Sequence, residues 1–461
     1  MDRPSPAAET PRLAPVAGPF LLWGLGVGYV ISGDFYGWNA GLGATGYLGY
    51  LVALGFAAVL YAALVLAIAE LSAALPHAGG PYAFCRLAMG RLCGYLCGVA
   101  VLLEYVVAPA AIATAIGAYV NVLVPSVPVL VSAAAVYVVC IAVHLMGAEL
   151  SLSLELGLTT LALLMLTAFV VVAFPSITTE RLLQVGSGEV FPKGAGGLWA
   201  ALPSAAWFFL AIEGLPMAAE EARNARRDLP VALMASFATL AVAAICVLTV
   251  SAGLGGAAAV GSADAPLPTA VRIGLGQNHW LLGPLSLVGL AGLLASFQGI
   301  ILSYSRLTFA LSRAGYIPGF LSKLNGRKAP VWAIVVPGIA SFSLASLCAA
   351  LPGQAIPTLV SLSVFGAAVS YILTMAAAIL LRRRRDLHRP FRAPGGSAAA
   401  WIALALSVVL LPAGLREHPV ALVLGALVFG LFLLLYFTYG RARTAGVFAE
   451  EELGSAGRNE A

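Results

Sequence analysis

Three carboxylic acids, Asp34, Glu104 and Glu213, lie deep inside apolar stretches of this 461-residue chain. A helix rises about 1.5 Å per residue, which puts Glu104 roughly 18 Å beyond the cytoplasmic start of its stretch. An ionised side chain at such a depth in a bilayer costs from about 2.5 to above 10 kcal/mol, and acids found there face a cavity or a partner. No Lys or Arg stands at comparable depth, so the counter-charge is not supplied by the chain. Two resolutions remain: a proton neutralises the acid, or a cation arrives from outside. A protonated amine is one such cation, because it meets one or two carboxylates through charge-assisted hydrogen bonds. Tyr29, Phe35, Tyr36, Trp38, Tyr105, Trp207, Phe208 and Phe209 flank the acids, and aromatic faces can hold an organic cation or close a pathway. Glu70 and Glu149, near the ends of their stretches, read as solvated. Glu220 and Glu221 read as part of a charged turn with Arg223, Arg226 and Arg227.

The elements that must carry these acids follow from composition. The chain is 61% hydrophobic and 10% charged, more apolar side chain than a soluble protein of this size can bury. Twelve apolar runs stand near residues 18–43, 46–73, 93–122, 127–146, 156–174, 199–219, 231–254, 281–310, 331–351, 356–381, 399–414 and 419–440. Each approaches the roughly 20 residues that span a hydrocarbon core of about 30 Å. The expectation is an all-α integral membrane protein with one domain over residues 18–440, a tail at 1–17 and a tail at 441–461. With both termini cytoplasmic, only Arg181, Lys193, Arg272 and Arg416 of the 25 basic residues fall outside, as the positive-inside rule requires. The net charge of +5 therefore reports topology rather than nucleic-acid binding, and the Arg382 to Arg385 cluster reads as a cytoplasmic stop. Cys85, Cys93, Cys97, Cys140, Cys246 and Cys348 form no CxxC pair and read as small packing residues. An enzyme is disfavoured because His144 is isolated and His77, His279, His388 and His418 lie near loops. A sensor is disfavoured because no signalling domain is visible.

Two runs differ from the rest. The first is interrupted by Gly24, Gly26, Gly28, Ser32, Gly33, Gly37 and Asn39, and the sixth by Pro203, Glu213, Gly214 and Pro216. They stand five runs apart, as if each opened a half of opposite orientation: 18–174, then 199–381, with two added helices at 399–440. Interrupted segments at matching places in two halves are the best sequence pointer to a transport site.

Particular motifs sharpen this. Trp207 to Gly214, continuing through Glu220-Glu221-Ala222-Arg223-Asn224 to Asp228-Leu229-Pro230, resembles the sixth helix of the amino acid, polyamine and organocation (APC) superfamily. So do Ala69-Glu70-Leu71-Ser72 with Pro76-His77-Ala78-Gly79-Gly80-Pro81-Tyr82, and Arg389-Pro390-Phe391-Arg392-Ala393-Pro394. Ile31 to Asn39, Leu103 to Pro109 and Ser296 to Arg306 are similar to bacterial ethanolamine permeases. The resemblance implies a 5+5 inverted repeat with broken helices 1 and 6 plus two extra helices, alternating access, and a multi-pass protein of the bacterial inner membrane. It implies a substrate site drawn from Asp34, Glu104, Glu213, Ser32, Gly33, Trp207 and Ala211, with Trp207 and Tyr29 gating. Glu213, Asp34, Ser296 and Ser303 are the expected positions for coupling to a proton or sodium ion; Ser296 and Ser303 read equally as hydroxyls bonded to their own helix. No other cofactor and no metal are expected, and the oligomeric state is open.

The resemblance also has two departures. Amino acid carriers of the superfamily place a Gly-x-Gly turn where this chain reads Ser32-Gly33-Asp34. An acid there repels a substrate carboxylate at low dielectric, which favours ethanolamine or another small primary amine over an amino acid. Ala211 stands where many relatives have glycine, which leaves the extent of unwinding in the sixth helix open.

Overall fold

Helices account for the chain because the bilayer leaves no other way to satisfy backbone amides along so many apolar runs. A computed structural model describes residues 15–183, 193–349, 355–384, 386–417 and 419–444. Arg3, Arg12, Arg385, Arg458 and His418 lie outside the described residues, as do the side chains of Cys348 and Arg416. The first half comprises α1 (Pro19–Phe35), α2 (Asn39–Ala74), α3 (Pro81–Met89), α4 (Arg91–Leu123), α5 (Val129–Leu145) and α6 (Ala148–Ala173). After the short α7 (Thr179–Leu183) the second half runs through α8 (Gly194–Trp207), a 3-10 segment Ile212–Glu220, α9 (Ala225–Gly255), the short α10 (Ala257–Gly261) and α11 (Pro266–Gly274), α12 (Leu282–Arg313), α13 (Val331–Ala349) and α14 (Ala355–Arg382). Two further helices follow, α15 (Ala398–Glu417) and α16 (Pro419–Leu435), with a terminal turn α17 (Arg441–Arg443).

Among the described residues eight helices are long and apolar enough to cross a membrane, and three shorter apolar helices accompany them. The faces turned away from the bundle carry Val138, Leu164, Val171, Leu427 and Leu431, all more than 60% exposed, which is an inside-out pattern that only lipid makes stable.

The two halves pack by the same rules in inverted order. In the first, α1 lies against α9, α6 and α12; in the second, α8 lies against α2 and α14, and the α6–α12 contact is matched by α14 on α4. The first run breaks later than its glycines suggest. Gly24, Gly26, Gly28 and Gly33 are all helical within α1, and the interruption falls at residues 36–38, where Tyr36 is extended and Gly37 has φ 91°. Residues from Asn39 onward then continue into the second run across a kink at Gly46 (φ 68°). The helical glycines serve close packing instead: a Cβ on Gly24 would meet Leu156, and one on Gly26 would meet Ser236.

Glu70 is not solvated. It is buried, takes two bonds from Arg382 at 2.9 and 2.5 Å, accepts the Ala393 amide at 2.8 Å, and lies 3.6 Å from Arg389. Its partners come from more than 300 positions away, so the basic cluster after α14 is a fastening of the last two helices to the end of α2 as well as a stop signal. Glu149 is exposed, as expected. Glu220 and Glu221 do not pair within their own turn: Arg313 binds Glu220 at 2.8 Å and Arg306 binds Glu221 at 2.5 Å, both arginines coming from α12. Removing one member of a buried, multiply bonded pair leaves the other stranded, so Glu70→Ala is expected to destabilise the protein by about 2–4 kcal/mol in thermal unfolding of the detergent-solubilised chain.

Candidate functional site

The two interruptions face each other. A Cβ on Gly33 would stand 2.6 Å from the Trp207 carbonyl oxygen, so the last turn of α1 runs directly against the end of α8. The α8 helix stops at Trp207, the chain turns through Phe208 to Leu210, and Ala211 takes a left-handed conformation at φ 78°, ψ 0°. The sixth run thus unwinds fully even though alanine replaces glycine. The cost of that conformation for an L side chain, about 1 kcal/mol, is absorbed by burial on every side. Chain direction resumes in the 3-10 segment that carries Glu213 and Gly214.

Glu213 is buried and held by two phenols. Tyr105 of α4 donates to one oxygen at 3.0 Å and Tyr371 of α14 to the other at 2.8 Å. Tyr61 of α2 continues the chain at 3.1 Å from the Tyr371 hydroxyl. Glu104, one residue before Tyr105, is fully buried with its carboxyl within hydrogen-bonding reach of that of Glu213 and no other partner among the described residues. It is pressed in place by Gly366, whose Cβ would lie 3.0 Å from the Glu104 nitrogen. Two carboxyls side by side in a low dielectric repel when both are ionised, so the pair calls for a proton or a visiting cation.

Asp34 does not join that pair. It occupies the last turn of α1, fully buried, and neither oxygen has a hydrogen-bond partner among the described residues. Its backbone oxygen accepts the Trp38 indole at 3.3 Å, while the Ser32 amide beside it is taken by the Ser296 hydroxyl at 2.9 Å. The trio expected from sequence is therefore a close pair plus a separate acid one helix away.

Trp207 lies edge-on to Tyr36 with ring centroids 6.5 Å apart, and Gly37 is bare where a Cβ would strike the indole nitrogen. Tyr29 stands lower, packed on Gly299 of α12. Ser296 does not bond within its own helix; besides accepting from Ser32 it donates to the Gly28 oxygen at 2.7 Å, tying α12 to α1. The Ser303 hydroxyl is buried beside Gly214, within reach of the Tyr29 phenol.

Before the start of α1 the chain is tied to the turn that follows the 3-10 segment. The amides of Val16 and Ala17 donate to the Glu221 oxygen at 2.8 and 2.7 Å, and the Arg223 amide donates back to Ala17 at 2.8 Å. Arg306 closes the same point through the Glu221 side chain. Outside the membrane segments, His77 is buried beside this region and its imidazole is pushed down to about 4 by desolvation, so it stays neutral and accepts the Gly79 amide at 2.8 Å.

Sequence reading missed Tyr371, Tyr61 and one further acid, Glu155. The tyrosines are ordinary residues of apolar helices until the fold brings them to Glu213. Glu155 is fully buried in α6 with no hydrogen-bond partner for either oxygen among the described residues. The signal for it was its place seven residues after the Ala148 start of α6, hidden because the alternating polar stretch before Leu156 does not look like membrane span.

Two halves meeting at paired helix breaks over buried acids are the architecture of a membrane transporter. The chain belongs to the amino acid permease family of the APC superfamily, whose signature matches residues 20–439. An uncharacterised transporter of Mycobacterium tuberculosis is 31% identical over 363 residues, covering 77% of this chain and 78% of the relative. An uncharacterised transporter of Rhizobium meliloti is 29% identical over 403 residues, 84% of each chain. The branched-chain amino acid permease BcaP of Bacillus subtilis is 25% identical over 446 residues, 92% of each chain. Because the α1–α8 approach leaves no room for a methyl group at Gly33, Gly33→Ala is expected to lower substrate transport at least about tenfold while the protein still purifies as a single species on size exclusion.

Proposed function

We propose that this permease imports a small primary amine, with ethanolamine the leading candidate, across the cytoplasmic membrane with both termini inside. The observation that carries this reading is Asp34: a buried carboxylate without a partner, at the helix break where a carrier of zwitterions would offer bare amides to a substrate carboxylate. The Ser32 amide, which such a substrate would need, is already bonded to Ser296. An ammonium group satisfies Asp34 and brings no anion to be repelled. In the proposed cycle Asp34 and the Glu104–Glu213 pair act as counter-ions or proton carriers, Trp207 covers the site from above, and the Arg306–Glu221 fastening opens below. Tyr105 and Tyr371 fix the orientation of the Glu213 carboxyl so that it is poised toward the site rather than free to rotate.

A second reading has its own support. The permeases named BcaP in Bacillus subtilis and Lactococcus lactis, 25% and 24% identical to this chain, are named for branched-chain amino acids, and the left-handed turn at Ala211 exposes backbone that could meet an amino group or carboxylate. Uptake of labelled ethanolamine and of labelled leucine by purified protein in liposomes separates the two. Ethanolamine uptake, not competed by excess leucine and reduced at least about tenfold by Asp34→Asn combined with Glu213→Gln, is the expected result. Leucine uptake indifferent to excess ethanolamine would transfer the assignment to the amino acid reading.

A further inference from the structure

A cavity of about 510 Å³ opens at the end of the bundle where residue 16 meets the start of α6, apart from the helix breaks and from Asp34, Glu104 and Glu213. Its charged lining is Arg306 from α12, Arg327 and Lys328 from the turn between α12 and α13, and Glu149 from the first turn of α6. Three positive side chains stand against one negative. A cation entering is repelled by three of them, an anion by one.

Each of these cations has donors to spare. Arg306 is only 3% exposed; its Nε donates to Glu221 at 2.5 Å and its Nη1 to the Ser305 hydroxyl at 3.5 Å, which leaves Nη2 without a partner among the described residues. A guanidinium carries five N–H donors in a fixed fork, so a buried one in a cavity wall with an idle nitrogen is an incomplete arrangement. Arg327 and Lys328 are exposed, and neither side chain meets an acceptor among the described residues. Their turn is fixed all the same. Asn325 accepts the amides of Arg327 and Ala329, each at 2.9 Å, and donates to the Leu145 carbonyl at 3.0 Å. The two cations are thus carried at the junction of α5 and α6.

The helix itself completes the donor set. Gly147 precedes α6 at φ 115° without a side-chain cap, and the amides of Ala148, Glu149 and Leu150 have no acceptor among the described residues. All three residues line the cavity. The start of a 26-residue helix offers an anion both free N–H groups and the positive end of the dipole. A carboxylate has two oxygens with which to answer so many donors. A phosphate group has three or four and up to two charges, enough for the arginine fork, the turn cations and the helix amides together. Met146 and Leu150, 49% and 38% exposed, add apolar surface for the carbon part of a phosphate ester.

We propose that this cavity binds a phosphate group, from a soluble phosphate ester or from the headgroup of an acidic phospholipid, with Arg306, Arg327 and Lys328 as counter-charges and the first amides of α6 as donors. Basic pockets between membrane helices are suited to such groups. The site is separate from the cargo site, so the inference holds whether an amine or an amino acid is carried.

Thermal unfolding of the full-length protein in detergent, at constant ionic strength set with sodium chloride, tests it without any transported substrate. The probes are inorganic phosphate, glycerol 3-phosphate, and micelles doped with phosphatidylglycerol or, as control, phosphatidylcholine. At least one phosphate source is expected to raise the unfolding midpoint by at least about 2 °C over its control, as a ligand confined to the folded state does. A response to glycerol 3-phosphate assigns a soluble ester, and a response to phosphatidylglycerol alone assigns the lipid. Arg327→Gln combined with Lys328→Gln alters two exposed side chains, so the variant is expected to unfold like the wild type without ligand and to lose the shift with it. Glu149→Gln, which removes the one opposing charge, is expected to bind the same probe about three- to tenfold more tightly. No shift with any source, or an equal shift in the double variant, would overturn the proposal; so would weaker binding in Glu149→Gln.

Discussion

A backbone amide or a carboxyl cannot be left facing hydrocarbon, and this protein places both at the level of its two broken helices. Everything around the breaks answers that demand. Tyr36 to Trp38 and Phe208 to Ala211 are buried against one another and against α2, α4 and α12, so that each loose segment is walled by protein. The Trp38 carbonyl accepts the Tyr50 hydroxyl at 2.8 Å, and the Phe35 carbonyl accepts Tyr119 at 2.8 Å. Phenols thereby replace the helix bonds that the interruption removed.

The same logic ranks the acids. Glu70, Glu220 and Glu221 are matched by arginines and fasten the ends of the helices that carry them. Glu213 is matched by neutral donors, which orient a carboxyl without cancelling its charge. Asp34 and Glu155 have no hydrogen-bond partner among the described residues, and Glu104 has only the neighbouring acid Glu213. Satisfaction thus declines from the arginine-bearing rim toward the middle of the bundle, and the unsatisfied groups are where a mobile cation gains most by arriving.

Much of this was legible in the sequence. The apolar runs, the paired breaks and the family motifs gave the helical membrane fold, and Asp34, Glu104 and Glu213 were visible because acids stand out among apolar neighbours. What could not be read depended on distance. The partner of Glu70 lies 312 positions away, and the two phenols on Glu213 come from two different helices. The break in α1 was placed too early because glycines that permit helix packing look the same in a sequence as glycines that end a helix; only Gly37, with its positive φ, does the latter. Glu155 escaped because two turns of α6 ahead of it carry serines and a glutamate, which read as loop until the helix is seen to start at Ala148.

The short strap at residues 16–17 is held by main chain alone. Its three bonds to residues 221–223 join main chain to main chain, so the latch is indifferent to which side chains occupy those positions. Water at the membrane edge can take over each bond as it breaks. Exchange of those bonds with water is therefore like for like, and what pins the turn at 220–221 is two guanidiniums of α12, Arg306 on Glu221 and Arg313 on Glu220.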